Sequence, residues 1–339
     1  MKNEACTYIL IIANNDLDKL RRTVDSLLKQ TVERELLRIL IIDNASQNDT
    51  YSRLIDYEIE YPELISVIRE KKPTTKGRLL KRMIRHLRYA EVGSSMILEP
   101  GDIICPDLIK NANMILRLKE SLGSLIYETD IWDGQTIKSQ TPIFTSNCVI
   151  TKLCEDVYYK SGIGHKVLIF HRGLPIGLTV KLPYYEVVVK SHDWLSAAYH
   201  RNEANGYMKE TGGCIYTEAQ DMKKELIEWS FFIKRNFYAI ETQVFSTKNS
   251  LNVQKEAVYS AYNCLSIMAL QYAVQILKKG AIEEAEDILI FAEMMNLDIE
   301  NDSRFLQLRQ AVLAGNYEET LETLFVVKSE IPPRVSFQF

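Results

Sequence analysis

Three aspartates stand where a carboxylate could act on a ligand. Asp43 closes the apolar run Ile39–Ile42 and opens the polar turn Asp43-Asn44-Ala45-Ser46. Asp102 comes shortly after Met96-Ile97-Leu98, with Glu99 three residues before it. Asp193 lies in Ser191-His192-Asp193-Trp194, ahead of the helix-compatible Leu195–His200. The carboxyl ends of strands are where open α/β sheets bind ligands. A carboxylate there can accept N–H groups, hold a hard cation through oxygen, or take a proton as general base. Each has a plainer reading beside the chemical one. Asp43 and Asp193 could simply cap the following helices, and Glu99 and Asp102 could be incidental acids of a turn.

The elements that must position these residues follow from the apolar pattern. Ile39–Ile42 is β-branched at three of four positions, as in a strand buried on both faces of a parallel sheet. Tyr8–Ile12 is an earlier strand that ends in Ala13-Asn14-Asn15-Asp16. Between them, Leu17 to Gln30 carries Leu20, Val24, Leu27 and Leu28 at helical spacing. Further along, Tyr51–Tyr61 is expected as a helix, Ile65–Ile68 as a strand, Leu79–Arg88 as a helix and Met96–Leu98 as a strand. Leu108–Leu122 is expected as a helix, Ser124–Tyr127 as a strand and Asp130–Gln135 as a turn. Residues 69–88 are the most basic stretch of the chain. A phosphate contact from one of Lys76, Arg78 or Arg82 suits the loop and helix start there, and the alternative is a solvated basic face. Trp132 either lines an acceptor groove or packs as a half-buried aromatic.

The order of these pieces resembles the family 2 glycosyltransferases. The quoted matches are Ser26-Leu27-Leu28-Lys29-Gln30-Thr31 against "SLLxQT" and Asp43-Asn44-Ala45-Ser46-Gln47-Asn48-Asp49-Thr50 against "D(N/G)xSxDxT". Gly77 and Arg82 match "GxxxARN", with Met83 in place of Asn. The segment His192-Asp193-Trp194-Leu195 is similar to "HDWWL" of the rhamnosyltransferase-like branch. The resemblance implies a GT-A α/β domain, a mostly parallel sheet flanked by helices. It implies a nucleotide-diphosphate sugar donor, UDP favoured over dTDP, and inverting transfer to a hydroxyl of a glycan or glycoprotein. By the same resemblance Ala13, Asn14, Asp43 and Ser46 would recognise the nucleoside, with Lys76 and Arg82 near the phosphates. Asp193 would be the general base. Asp102 and Glu99 would hold Mn²⁺ or Mg²⁺, although Gly101 and Ala219 stand where the family has ligands. That departure leaves open a weak metal site, Lys or Arg groups in its place, or a catalytically silent scaffold or partner subunit.

Bulk properties narrow the classes. With 339 residues, one large domain and a smaller one are expected. A formal net charge of −4 argues against bulk binding to nucleic acid. The six cysteines form no CxxC pair, so they are expected to be reduced thiols of a cytoplasmic protein. No apolar run approaches the roughly 18 residues of a membrane span. Residues 222–339 are nearly all helix-compatible. Gly280-Ala281-Ile282-Glu283-Glu284-Ala285 and Gly315-Asn316-Tyr317-Glu318-Glu319-Thr320 lie 35 residues apart, by their numbers 280 and 315. That is close to the roughly 34-residue tetratricopeptide period. The expected organisation is a glycosyltransferase domain over 1–221 and helical hairpins over 222–339, whose outer face could bind a partner or a second copy.

Overall fold

The computed structural model of the chain describes residues 6–150, 167–174, 204–217, part of 259–277, 278–315 and 335–336. They fall into two compact units. The first holds 6–150, 167–174, 204–217 and 335–336, and the second holds the described residues from 259 to 315.

The first unit is built on one sheet. It opens with β1 (Cys6–Ala13), α1 (Leu17–Leu28), β2 (Leu37–Asp43), α2 (Thr50–Glu60) and β3 (Ile65–Arg69). These are followed by α3 (Lys76–His86), β4 (Val92–Leu98), β5 (Ile103–Ile104), α4 (Leu108–Leu118) and β6 (Leu122–Trp132). The remaining strands are β7 (Ile137–Ser139), β8 (Cys148–Ile150), β9 (Val167–Arg172), β10 (Ala204–Tyr216) and, at Val335–Ser336, β11. Their order is β11-β8-β10-β6-β9-β4-β1-β2-β3, with β5 and β7 branching onto β10 and β6. β1 runs parallel to β2 and β4, and β2 parallel to β3. Ile9, Leu10, Ile11, Ile39, Leu40 and Ile41 are almost wholly buried, so both faces of these strands are covered.

Beyond β4 the sheet is mixed rather than mostly parallel. β9 inserts antiparallel to both β4 and β6. The two reversals cancel, so β6 and its parallel neighbour β10 point the same way as β4. Six strands, β1, β2, β3, β4, β6 and β10, therefore deliver their carboxyl ends to one edge.

Several boundaries differ from the pattern-based expectation. α3 begins at Lys76 rather than Leu79, since the carbonyl of Thr75 accepts from Arg78 and Leu79 and starts the helical ladder early. β6 runs on to Trp132, so the turn expected over Asp130–Gln135 starts later, at Asp133, where Asp133 N donates to the Thr136 carbonyl (3.3 Å) in the hairpin to β7. Its polar residues Glu128 and Thr129 remain in the strand because they are bonded there: Glu128 accepts from Ile143 N (2.7 Å) and Tyr207 OH (2.5 Å). Thr129 accepts from Gln140 Nε2 at its carbonyl (2.8 Å) and its hydroxyl (3.0 Å). β10 is one long strand with bulges between Met208 and Gly213. The last described residues return to the first unit's sheet, whereas the expected helical domain extended to 339.

In the second unit a helical stretch ends at Gly280, and α5 (Ile282–Met295) and α6 (Ser303–Ala314) follow. Gly280 (φ 79°) and Gly315 (φ 67°) both adopt the left-handed backbone that ends a helix. Glu283 and Glu284 lie in the first turn of α5, the placement that the helix dipole favours. No helix among the described residues is long and apolar enough to cross a membrane.

Candidate functional site

The carboxyl edge of the sheet places most of the described candidates side by side. Ala13 and Asp43 are paired in register at the ends of β1 and β2, and Asp43 is paired with Arg69 at the end of β3. Two polar turns leave this edge and are bonded to each other. Asn15 N donates to Ser46 Oγ (2.9 Å), and Gln47 N donates to Asn15 Oδ1 (2.8 Å). Asn15 (φ 57°) and Ala45 (φ 56°) both sit in the left-handed region. Asparagine tolerates this, but for alanine it is a strained conformation that the surrounding bonds must hold. Asn14 is exposed at the same edge and accepts from Asn15 Nδ2 (3.0 Å).

The Asp43 carboxylate is fully buried. It accepts from Ser46 N (3.3 Å to each oxygen) and lies 3.5 Å from Arg69 Nε. Arg69 is half-exposed, donates to the Ser46 carbonyl (3.3 Å) and covers the Tyr51 ring at 4.2 Å. The pair therefore shows its guanidinium to solvent and keeps its carboxylate inside. Beside it, Asn44 closes a two-bond amide pair with Thr74, donating from Nδ2 to Thr74 O (3.0 Å) and accepting from Thr74 N (2.8 Å). This fixes the loop that leads into α3. Arg82 projects from α3 and pairs with Glu70, the residue after Arg69. Lys76 is the first residue of α3, and its side chain lies outside the described residues.

Glu99 and Asp102 share the turn after β4, but Asp102 faces inward. It is only 2% exposed, and its two oxygens accept from Glu99 N and Tyr216 N, each at 3.0 Å. Gly101 (φ 104°) lies so close to Tyr216 that a Cβ there would be 2.7 Å from the tyrosine Cβ. A carboxylate at 101 has no room. Among the described residues no three His, Cys, Asp or Glu side chains converge to hold a metal ion. The described residues fit the divalent cation implied by the resemblance poorly, because position 101 carries no carboxylate and Asp102 is buried with each oxygen turned to a backbone N–H.

The same turn is ringed by cations and aromatics. Its Gly101 N–H is shared between the Lys19 carbonyl (3.1 Å) and Thr23 Oγ1 (2.9 Å) of α1. Tyr216 and Trp132, at the ends of β10 and β6, meet edge to face with centroids 5.3 Å apart. Lys19 Nζ stands 4.6 Å from the Tyr216 ring centre, and Arg22 stands 4.4 Å from that of Trp132. Trp132 is half-buried in these contacts, as the packing reading expects.

Asp193 and Ala219 lie outside the described residues. Sequence reasoning passed over Arg69, Lys19 and Arg22.

Residues 8–90 match the family model described as glycosyl transferase family 2, a span from β1 to just past α3. No curated protein matches the chain. Among solved structures, the crystal structure of S. aureus TarS 1–349 in complex with UDP-GlcNAc is similar with a TM-score of 0.58 and 12% identity, covering 94% of this chain and 90% of that one. TarS 1–349 in complex with UDP gives a TM-score of 0.50 at 14% identity, over 92% and 93%. Against the S. aureus TarS structure without that truncation the TM-score is 0.56 at 12% identity, over 94% of this chain and 55% of that one. The chain thus spans about half the length of that longer relative. At these identities the likeness establishes the fold, that of a GT-A domain. With the family match, it marks the chain as a glycosyltransferase enzyme.

Proposed function

We propose that the chain transfers a sugar from a nucleoside diphosphate donor, a UDP-sugar in the first instance, to a hydroxyl of a glycan or glycoprotein acceptor. The observation that carries this is the bonded pair of turns at the β1, β2 and β3 ends. It gathers Ala13, Asn14, Asp43, Ser46 and Arg69 beside the boundary between β1 and β4, where the strand order reverses. Doubly wound sheets bind nucleotides at that point. The structurally similar TarS domain has been crystallised with UDP-GlcNAc and with UDP, which supports uracil as the base.

The chemistry divides between this edge and Asp193. The nucleoside would sit against Asn14 and the Asp43–Arg69 pair, with Arg69 shifting so that a base N–H reaches the carboxylate. Asp193 would take the proton of the acceptor hydroxyl as its oxygen attacks the anomeric carbon. The bond from that carbon to the diphosphate oxygen breaks on the opposite face, which inverts the centre. This role for Asp193 rests on the His192-Asp193-Trp194 context alone. Titration of the full chain with UDP, dTDP and GDP, each with and without Mn²⁺, tests the donor class. UDP is expected to bind most tightly, and a chain that binds no nucleotide would overturn the reading. A second reading, a silent scaffold, is favoured by the inward-facing Asp102 and the crowded Gly101. Release of UDP from a UDP-sugar, with water or sugar as acceptor, would overturn the scaffold reading.

A further inference from the structure

We infer that Lys19 and Arg22, rather than a divalent cation, supply the positive charge against the donor's diphosphate. This rests on the nucleotide-sugar reading above and concerns how the phosphates are held.

The argument begins with position. A nucleoside seated at the β2 and β3 ends has its phosphates directed along the edge toward β4, since β3 is the last strand of the sheet. From β2 through β1 to β4 is two strand spacings, about 10 Å, a distance that a ribose and diphosphate can bridge. The diphosphate then arrives at the turn Glu99-Pro100-Gly101-Asp102. There the Asp102 oxygens are taken by two backbone N–H groups, and Tyr216 fills the space a carboxylate at 101 would need.

The turn has cations beside it instead. The side chain of Lys19 is 30% exposed and that of Arg22 is exposed. Both come from the first two turns of α1, whose backbone is bonded to the turn at Gly101. Each lies over an aromatic ring at less than 5 Å, so neither long side chain must be ordered from scratch when an anion arrives. Lys19 also lies 3.9 Å from the Asp16 carboxylate. A 3.9 Å ion pair near the surface is worth little and yields readily to a doubly charged diphosphate. The arrangement offers the leaving group two fixed positive charges at the edge where the nucleoside sits, and those charges stabilise it as it departs.

Full-length chain carrying Lys19→Met and Arg22→Gln, which keep the aliphatic stems over the rings, should be titrated with UDP, UMP and uridine. Each titration is run in EDTA and in Mn²⁺. The wild-type chain is expected to bind UDP equally in both, within about twofold. The double variant should lose roughly 10- to 100-fold in UDP affinity, the scale of charge-assisted bonds, with uridine affinity unchanged. Lys19→Arg should restore part of the loss. A wild-type chain that binds UDP only with Mn²⁺, or a double variant that binds UDP normally, overturns the inference while leaving the donor reading intact. A wild-type chain that binds neither UDP nor uridine overturns both.

Discussion

At the scale of single residues, the pair Asp43–Arg69 governs the nucleoside end. Replacing Asp43 by Ala removes the acceptor for Ser46 N and frees Arg69 from its position over Tyr51. The expected cost is roughly 1–3 kcal/mol in UDP binding, that of a charge-assisted bond. Calorimetry checks this, with circular dichroism to show that the fold persists. Unchanged affinity would remove Asp43 from the site. Asp193→Asn keeps the size of the side chain and its ability to cap a helix but cannot accept a proton at neutral pH. Turnover should fall at least about a hundredfold with donor binding nearly intact. Normal turnover would take Asp193 out of the mechanism. Asp43 was legible in the sequence because the residues that interpret it are its chain neighbours. Arg69 was not, since its relation to Asp43 exists only through the register of two parallel strands 26 positions apart along the chain, from 43 to 69. Lys19 and Arg22 were hidden for a similar reason: their aromatic partners come from β6 and β10.

At the scale of elements, the turn after β4 shows why the lost carboxylate cannot simply be restored. Gly101→Asp would reinstate the missing acid of the motif. It would also force a side chain into a left-handed position and against Tyr216. The expected result is a loss of about 1–3 kcal/mol in stability, by denaturant unfolding, with no gain of Mn²⁺ dependence. A stable variant that becomes Mn²⁺-dependent would contradict the packing argument. In the second unit, Asp302 caps α6 by accepting from Arg304 N (2.9 Å), and it also pairs with the Arg304 side chain. Burial opposes the charged carboxylate, yet these bonds to Arg304 outweigh burial and hold Asp302 below its usual range. Its contribution is therefore present above the ordinary carboxylate value near 3.9 and lost as pH falls through the lowered one. Asp302→Ala should cost about 1 kcal/mol at neutral pH, and the difference from wild type should shrink in acid. The first three strands and α1 were readable from periodicity to within a few residues. The strand expected at Ser124–Tyr127 lies inside β6, but its continuation to Trp132 was not legible, because the buried polar residues Glu128 and Thr129 look like turn signals until partners such as Tyr207 are seen.

At the scale of the whole molecule, the helical unit has apolar residues with no evident role in its own packing. α5 shows Ile290 and Met294 one turn apart, with Met294 70% exposed, and α6 shows Leu306 and Leu313, with Leu313 72% exposed. Inside the same unit the helices are well filled: Ala285, Leu289, Phe305 and Leu308 are buried. Ser266 Oγ donates to the Ala292 carbonyl (2.8 Å), binding the preceding helical stretch to α5. The unit thus has a core and, besides it, exposed apolar side chains on both helices, which are candidates for an interaction site. The sequence foretold this only coarsely. The paired glycines announced the helix ends, while the outward or inward direction of each apolar residue depends on how the helices pack. Self-association through this surface is the expected outcome. Light scattering of the full chain should give a mass above the monomer's 39.1 kDa. Met294→Glu with Leu313→Glu should return it to monomer with its helical content intact by circular dichroism, since each side chain is mostly in solvent within one chain. Truncation is the poorer test, because β11 at Val335–Ser336 pairs with β8, so cutting near residue 221 would also strip a strand from the first unit's sheet. A wild-type chain that scatters as a monomer at every concentration would exclude self-association and leave these residues to a different protein partner.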